Sequence, residues 1–265
     1  MAVAADDYSK YDRENDNFDD QVGFDCLIEP HSLIDVSTRE EGIVDQVSVS
    51  RGDIVKKGQV LVKLDSDAEM LAVKLARERA VRTAKIESKK EGIKYLKRQQ
   101  KRINDLFAKK AVSSHDKDKA DTDVMLAVIE LRDEREARRI AQIEKERAEQ
   151  FLKQRTIFSP VNSVVVKNHL SAGESVENRP IITLAQVDPL NVEVILPLNM
   201  FGKVKVGDVA KVTPLVPGGG IVQAKLVIVD RVIDAASNTF GVRLELPNPD
   251  YSLPGGIRCD VDFKN

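Results

Sequence analysis

The residues of this chain most able to do chemistry are three histidines, two cysteines and a run of three glycines, and their spacing argues against catalysis. His31, His115 and His169 each lack a second ligand at helix or strand spacing, so none is assigned to a metal. Cys26 and Cys259 are too few for a zinc site or a disulfide framework. Gly218-Gly219-Gly220 lacks the Lys-Ser/Thr and the helix that follow a phosphate loop, and is read as a flexible loop between strands. No nucleophile elbow or carboxylate pair rises above the charged background, so neither enzymatic activity nor a cofactor is expected. Arg102, Leu106 and Ser113 have ordinary readings by themselves: an arginine on a solvated helix face, a small apolar side chain, and a serine helix cap worth about 1 kcal/mol.

These three residues sit in a helical setting. No proline lies between Pro30 and Pro160, and Gly92 is the one glycine between Gly58 and Gly173. Residues 68–154 are rich in Ala, Leu, Glu, Lys, Arg and Gln, all good helix formers. Ile86, Ile93 and Phe107 share one heptad position, with Gln100 in the slot between, and Leu96 and Ile103 fall three residues after members of that row. Val124, Val128, Leu131, Ile140, Ile143 and Phe151 mark a second stripe. This rhythm predicts coiled-coil packing. At "AKKAVSSHDKD" the helix breaks: Lys109 and Lys110 suit a helix C-terminus, and Ser113 with Asp116 resembles a capping box. Two antiparallel helices of about 40 residues, some 60 Å long, are expected.

On both sides of this insert the sequence changes to Val/Ile alternation broken by Gly, Pro, Asn and Asp. Residues 41–64, "EGIVDQVSVSRGDIVKKGQVLVKL", overlay residues 162–185, "NSVVVKNHLSAGESVENRPIITLA", without a gap. Val44 meets Val165, Gly52 meets Gly173 and Val55 meets Val176. Half such a unit cannot bury its own apolar face, so the two copies are expected to pair into one sandwich. From residue 187 to 263 short alternating strands separated by turn residues predict a small antiparallel barrel, joined by a strand in "FDCLIE".

Composition adds exclusions. The 265 residues are 42% hydrophobic and 32% charged, with a net charge of −2. Residues 74–110 hold fourteen Lys/Arg against four Asp/Glu, but they surround an apolar seam and carry few aromatics, so a solvated face is favoured over nucleic acid. No stretch reaches the roughly 18 apolar residues of a membrane span. The first residues lack the basic and apolar regions of a signal peptide.

Residues 41–70 resemble half of a biotinyl or lipoyl carrier domain, yet Ala68 stands where the carrier lysine would be. The whole order of strand, lipoyl-like half, helical hairpin, second half and barrel resembles the HlyD-like periplasmic adaptors, or membrane fusion proteins, of tripartite efflux pumps. Further strings that carry the resemblance are "TIFSPVNSVVVKNHLSAGESV", "VDPLNVEVILP", "VKVGDVAKV" and "NPDYSLPGGIRCDVDF". The resemblance implies an elongated α+β fold: a β-barrel and a lipoyl-like β-sandwich with an inserted antiparallel coiled-coil α-hairpin. Its expected parts are an acidic, disordered segment 1–21, a barrel from 22–36 and 187–265, a split lipoyl-like domain from 37–66 and 156–186, and a hairpin over 67–155 with its tip near 103–115. In such adaptors Arg102, Leu106 and Ser113 would meet a TolC-like outer-membrane channel.

The resemblance also implies an inner-membrane transporter partner, foremost of the resistance-nodulation-division type and alternatively an ABC or major-facilitator exporter. It implies a hexamer in the assembled pump, a periplasmic location at the inner membrane, and a native signal peptide or anchor missing from this chain. The membrane-proximal domain found in many such adaptors has no counterpart here, which points to a reduced or trimmed adaptor. A biotinyl or lipoyl carrier is the rival reading. Cys26 and Cys259 both face inward. A disulfide between them needs the first and last barrel strands to be neighbours in an oxidising compartment, and buried free thiols are the commoner outcome.

Overall fold

The computed structural model describes residues 23–38, 40–177 and 179–263, and the segment 1–21 lies outside them. A long strand β1 (Phe24–Val36) leads into three short ones, β2 (Gly42–Val47), β3 (Ile54–Val55) and β4 (Val60–Leu64). Three helices follow: α1 (Asp67–Val81), α2 (Ala84–Ala108) and α3 (Ser114–Gln154). The chain returns through β5 (Thr156–Phe158), β6 (Ser163–Asn168) and β7 (Ser175–Val176) into a second long strand, β8 (Ile182–Pro197). Four more strands finish it: β9 (Val209–Pro214), β10 (Val222–Val229), β11 (Thr239–Leu246) and β12 (Ile257–Asp262).

The two repeat halves pair with each other strand for strand. β2 bonds to β7 and β6 bonds to β3, so each half donates its short middle strand to the other. The hydrogen bonds are reciprocal: Gly52 N–H donates to the Val165 carbonyl and Gly173 N–H to that of Val44, both at 2.8 Å. Gly52 and Gly173 both adopt positive φ, 91° and 87°, which a side chain disfavours. Between the layers lie Val44, Val55, Leu61, Leu64, Val165, Val176, Ile182 and Leu184, all buried. Each such side chain stabilises by roughly 1.5–3 kcal/mol once covered, and a half alone would leave them wet.

Among the described residues, β1, β12, β9, β10, β11 and β8 close a barrel, with β8 returning to β1. Alternation does the work of sorting its side chains: in β11, Phe240, Val242, Leu244 and Leu246 point inward while the residues between them are half-exposed. β1 and β8 run through both lobes. Cys26 and Ile28 belong to the barrel core, whereas Val36 lies in the sandwich core. From the sequence, all of 22–36 is expected in the barrel. The division instead falls inside β1, near the register shift between Pro30 and Ser32, because one continuous strand is shared.

The cysteines are bridged. Cys26 and Cys259 pair directly across β1 and β12 with Cα atoms 4.8 Å apart. Free thiols, the expected outcome, are replaced by a disulfide because barrel closure makes the first and last described strands neighbours.

The hairpin differs from expectation in two ways. Its first limb is two helices, broken where Arg82 turns extended (ψ 120°), and Arg138 Nε on α3 donates to the carbonyl of the buried Ala80 at the break. Covered positions on this limb alternate by fours and threes up to Thr83, then step by threes through Ile86 and Lys89. That extra step rotates the apolar stripe, and a short unwound link lets the helix restart in phase. Second, α3 turns Ala127, Leu131, Ala141 and Ala148 toward its partners, while Val128, Ile140, Ile143 and Phe151 are exposed. Small residues let the limbs approach closely, and the larger apolar side chains are left on the outer face.

Candidate docking site at the hairpin tip

The tip is a short turn locked from both sides. Lys110 adopts φ 58°, Ala111 N–H reaches back to the Leu106 carbonyl at 2.9 Å, and Lys110 N–H to that of Phe107 at 2.8 Å. This double bond pattern satisfies the last carbonyls of α2 and stops it. α3 then opens on a capping box: the Ser113 hydroxyl accepts from Asp116 N–H at 3.2 Å, and Asp116 Oδ2 accepts from Ser113 N–H at 3.2 Å. The Ser113 hydroxyl also donates to Asp116 Oδ2 at 2.7 Å. That hydroxyl bond holds the Asp116 carboxyl below its usual value, followed in weight by the Ser113 backbone N–H.

Behind the turn a second set of contacts fixes how the limbs are rotated. Gln100 Nε2 donates to Asp121 Oδ1 at 2.7 Å, Lys117 Nζ lies 3.5 Å from Asp121 Oδ2, and Lys117 also sits 5.8 Å from the Phe107 ring centre. Gln100 was visible in the sequence as a polar residue in an apolar row. Its partners Asp121 and Lys117 carried no such mark, since they sit among many other charges.

On this frame Arg102 and Leu106 lie one turn apart on α2, both exposed, and among the described residues Arg102 has no ion-pair or hydrogen-bond partner. Ser113 is at the other side of the turn with its hydroxyl engaged in the cap. The structure therefore brings all three residues to one end of the hairpin but gives Ser113 a structural task as well. Ser113→Ala is expected to cost about 1 kcal/mol and to return the Asp116 titration to ordinary values. The folded pKa of Asp116 is lowered, so the cap contributes fully above the usual carboxylate pKa and is lost as pH falls through the lowered value. An NMR titration of the Asp116 carboxyl with amide exchange at Lys117 measures both, and an unshifted Asp116 in the parent protein would refute the coupling.

Chemistry elsewhere stays sparse. Among the described residues no group of three His, Cys, Asp or Glu could hold a metal, and no helix is long and apolar enough to cross a membrane. His31 Nδ1 lies 3.2 Å from Asn191 Oδ1 between β1 and β8, and His169 Nε2, just after β6, lies 2.8 Å from Thr183 Oγ1. Ala68 sits in the first turn of α1, not at the tip of a β-turn.

A family model described as CzcB-like, barrel-sandwich hybrid domain matches residues 32–186. The chain belongs to this family. The match takes in the CzcB-like sandwich and the whole hairpin between its halves. The fold is shared with solved membrane fusion proteins. The chain is 23% identical to MacA from Actinobacillus actinomycetemcomitans, with a TM-score of 0.75 over 92% of this chain and 78% of that one. It is 19% identical to the membrane fusion protein Spr0693 from Streptococcus pneumoniae R6, with a TM-score of 0.62 over 91% and 97% of the two chains. A putative efflux transporter from Bacteroides eggerthii DSM 20697 is 16% identical, with a TM-score of 0.56 over 90% and 67%. No curated protein sequence matches the chain.

Proposed function

We propose that this CzcB-like protein is a non-enzymatic adaptor that links an inner-membrane efflux transporter to a TolC-like outer-membrane channel, with six copies in the assembled pump. The observation that carries the reading is Arg102, without a partner among the described residues, and exposed Leu106, held one turn apart at the end of the hairpin by a doubly fixed turn. A guanidinium can fork onto carbonyls or carboxylates of an opposing helical tip, and a neighbouring leucine closes the contact against water. The hairpin acts as a coiled-coil spacer; α3 alone, with 41 residues, is about 60 Å long at 1.5 Å per residue. The Cys26–Cys259 disulfide fits an oxidising compartment such as the periplasm.

A transporter of the resistance-nodulation-division type is the foremost partner, with ABC and major-facilitator exporters as the alternatives. Ala68 leaves a carrier function without its lysine. The test is Arg102→Asp with Leu106→Asp in cells that depend on this protein for drug or metal export. Export is expected to fall to the level of a deletion while the purified variant melts like the parent, because both side chains are exposed. Full export by the double variant would remove the docking role.

A further inference from the structure

We propose that the cleft between the two lobes is a binding site for a small amphipathic organic anion. It has a volume of about 470 Å³ and is floored by Val164, Ala185 and Val187, with Leu33, Val166 and Tyr251 along its walls. This size and apolar lining are those of a small-molecule site. Arg51, at the mouth, is the one charged residue lining it among the described residues, and it has no ion-pair partner there. An apolar body with one anionic group matches that arrangement. A cation would meet Arg51, and a polar ligand would leave its hydrogen-bonding groups against valines and leucines.

The wall on the barrel side is built in advance. The buried Asn248 amide donates to the carbonyls of Val187 and Leu253, both at 2.9 Å, and its Oδ1 accepts from Leu253 N–H at 3.1 Å. At the other end of this loop Gly256 N–H donates to the Ile28 carbonyl at 2.7 Å, and Gly255 packs so closely on Pro30 that a Cβ there would lie 2.7 Å from the ring. Tyr251 is held between these anchors with φ 53°, a conformation that a tyrosine rarely adopts. In the same cleft Leu33 and Val166 remain 67% and 40% exposed, apolar surface left uncovered. Because Val164, Val166 and Arg51 belong to the sandwich and Val187 and Tyr251 to the barrel, a bound molecule touches both lobes across the strands they share.

The experiment titrates the whole protein with 1-anilinonaphthalene-8-sulfonate, an apolar anion, and with its uncharged analogue N-phenyl-1-naphthylamine. The parent is expected to give one saturable fluorescence increase with the anion. Leu33→Glu and Val166→Glu, both at exposed positions, are expected to weaken it about tenfold or more. Phe151→Glu, in the separate groove at the hairpin base, is expected to leave it unchanged. The neutral analogue should bind roughly fivefold more weakly at low salt, and Arg51→Gln should close that gap. No saturable binding, undiminished binding by Leu33→Glu and Val166→Glu, or a loss confined to Phe151→Glu would overturn the site. Equal affinity for the two probes in the parent would overturn the anion assignment.

Discussion

Replacing Cys26 and Cys259 together by alanine is expected to lower the unfolding free energy by about 4 kcal/mol. The bridge spans 233 residues of sequence, so cutting it frees nearly the whole unfolded chain from one closed loop. It also ties β1 to β12, the strands that complete the barrel, and both cysteines are buried in its core. Urea denaturation of parent and variant measures the effect. The midpoint should fall and the slope rise, because the unbridged unfolded chain exposes more surface. A reductant should produce the same shift in the parent and none in the variant. An unchanged midpoint would mean that strand pairing alone sets the stability of the barrel.

Arg155→Ala is expected to cost about 2–3 kcal/mol and to loosen the base of the hairpin. Arg155 grips Glu69 through Nε and Nη2 at 3.0 and 2.6 Å, and its Nη1 donates to the Glu41 carbonyl at 2.7 Å. Its own carbonyl accepts from Leu64 N–H at 2.8 Å. One residue thus joins the start of α1, the entry to β2, the exit of β4 and the end of α3. Both side chains of the pair are about one-fifth exposed (19% and 20%), so the loss is smaller than for a fully buried pair. Gly42 makes the arrangement possible, since a Cβ there would lie 2.8 Å from Arg155 Nη1. Gly42→Val should therefore displace the guanidinium and reproduce part of the effect, and it should add little in an Arg155→Ala background. Hydrogen exchange should speed up at residues 67–73 and 150–154 while the tip keeps its protection. A uniform change along the hairpin would argue against a local clasp.

The features legible in the sequence were those set by local chemistry. Gly52 and Gly173 marked equivalent turns, Ser113 and Asp116 marked a helix start, and the gapless overlay of 41–64 on 162–185 foretold that the two halves would pair, though not which strands they would exchange. The features that escaped depend on how elements meet. Ile140, Ile143 and Phe151 promised an inward stripe, yet at that end of α3 it is Ala141 and Ala148 that are covered, and the larger side chains stay exposed. The link at Arg82–Thr83 has neither Pro nor Gly to announce it, because it arises from the phase of a stripe accumulated over several turns. Sharing of β1 and β8 by two lobes left no boundary signal. At the tip, Arg102 and Leu106 were picked out only by the resemblance to adaptors, and their fixing by Gln100, Asp121 and Lys117 requires the second limb to be in place.

The exchange of strands between the two halves also bears on the order in which this chain folds. β2 cannot meet β7, nor β3 meet β6, until residues some hundred positions apart in the chain come together. If the intervening segment were still a flexible coil, closing it would cost roughly 4 kcal/mol in entropy on the logarithmic scaling with loop length. Helices form by local contacts within microseconds, and α1 with α2 folded back on α3 delivers Lys63 to Thr156, which pair in the sheet. A hairpin formed early would therefore shorten the long-range search for its own sandwich before it spans any distance.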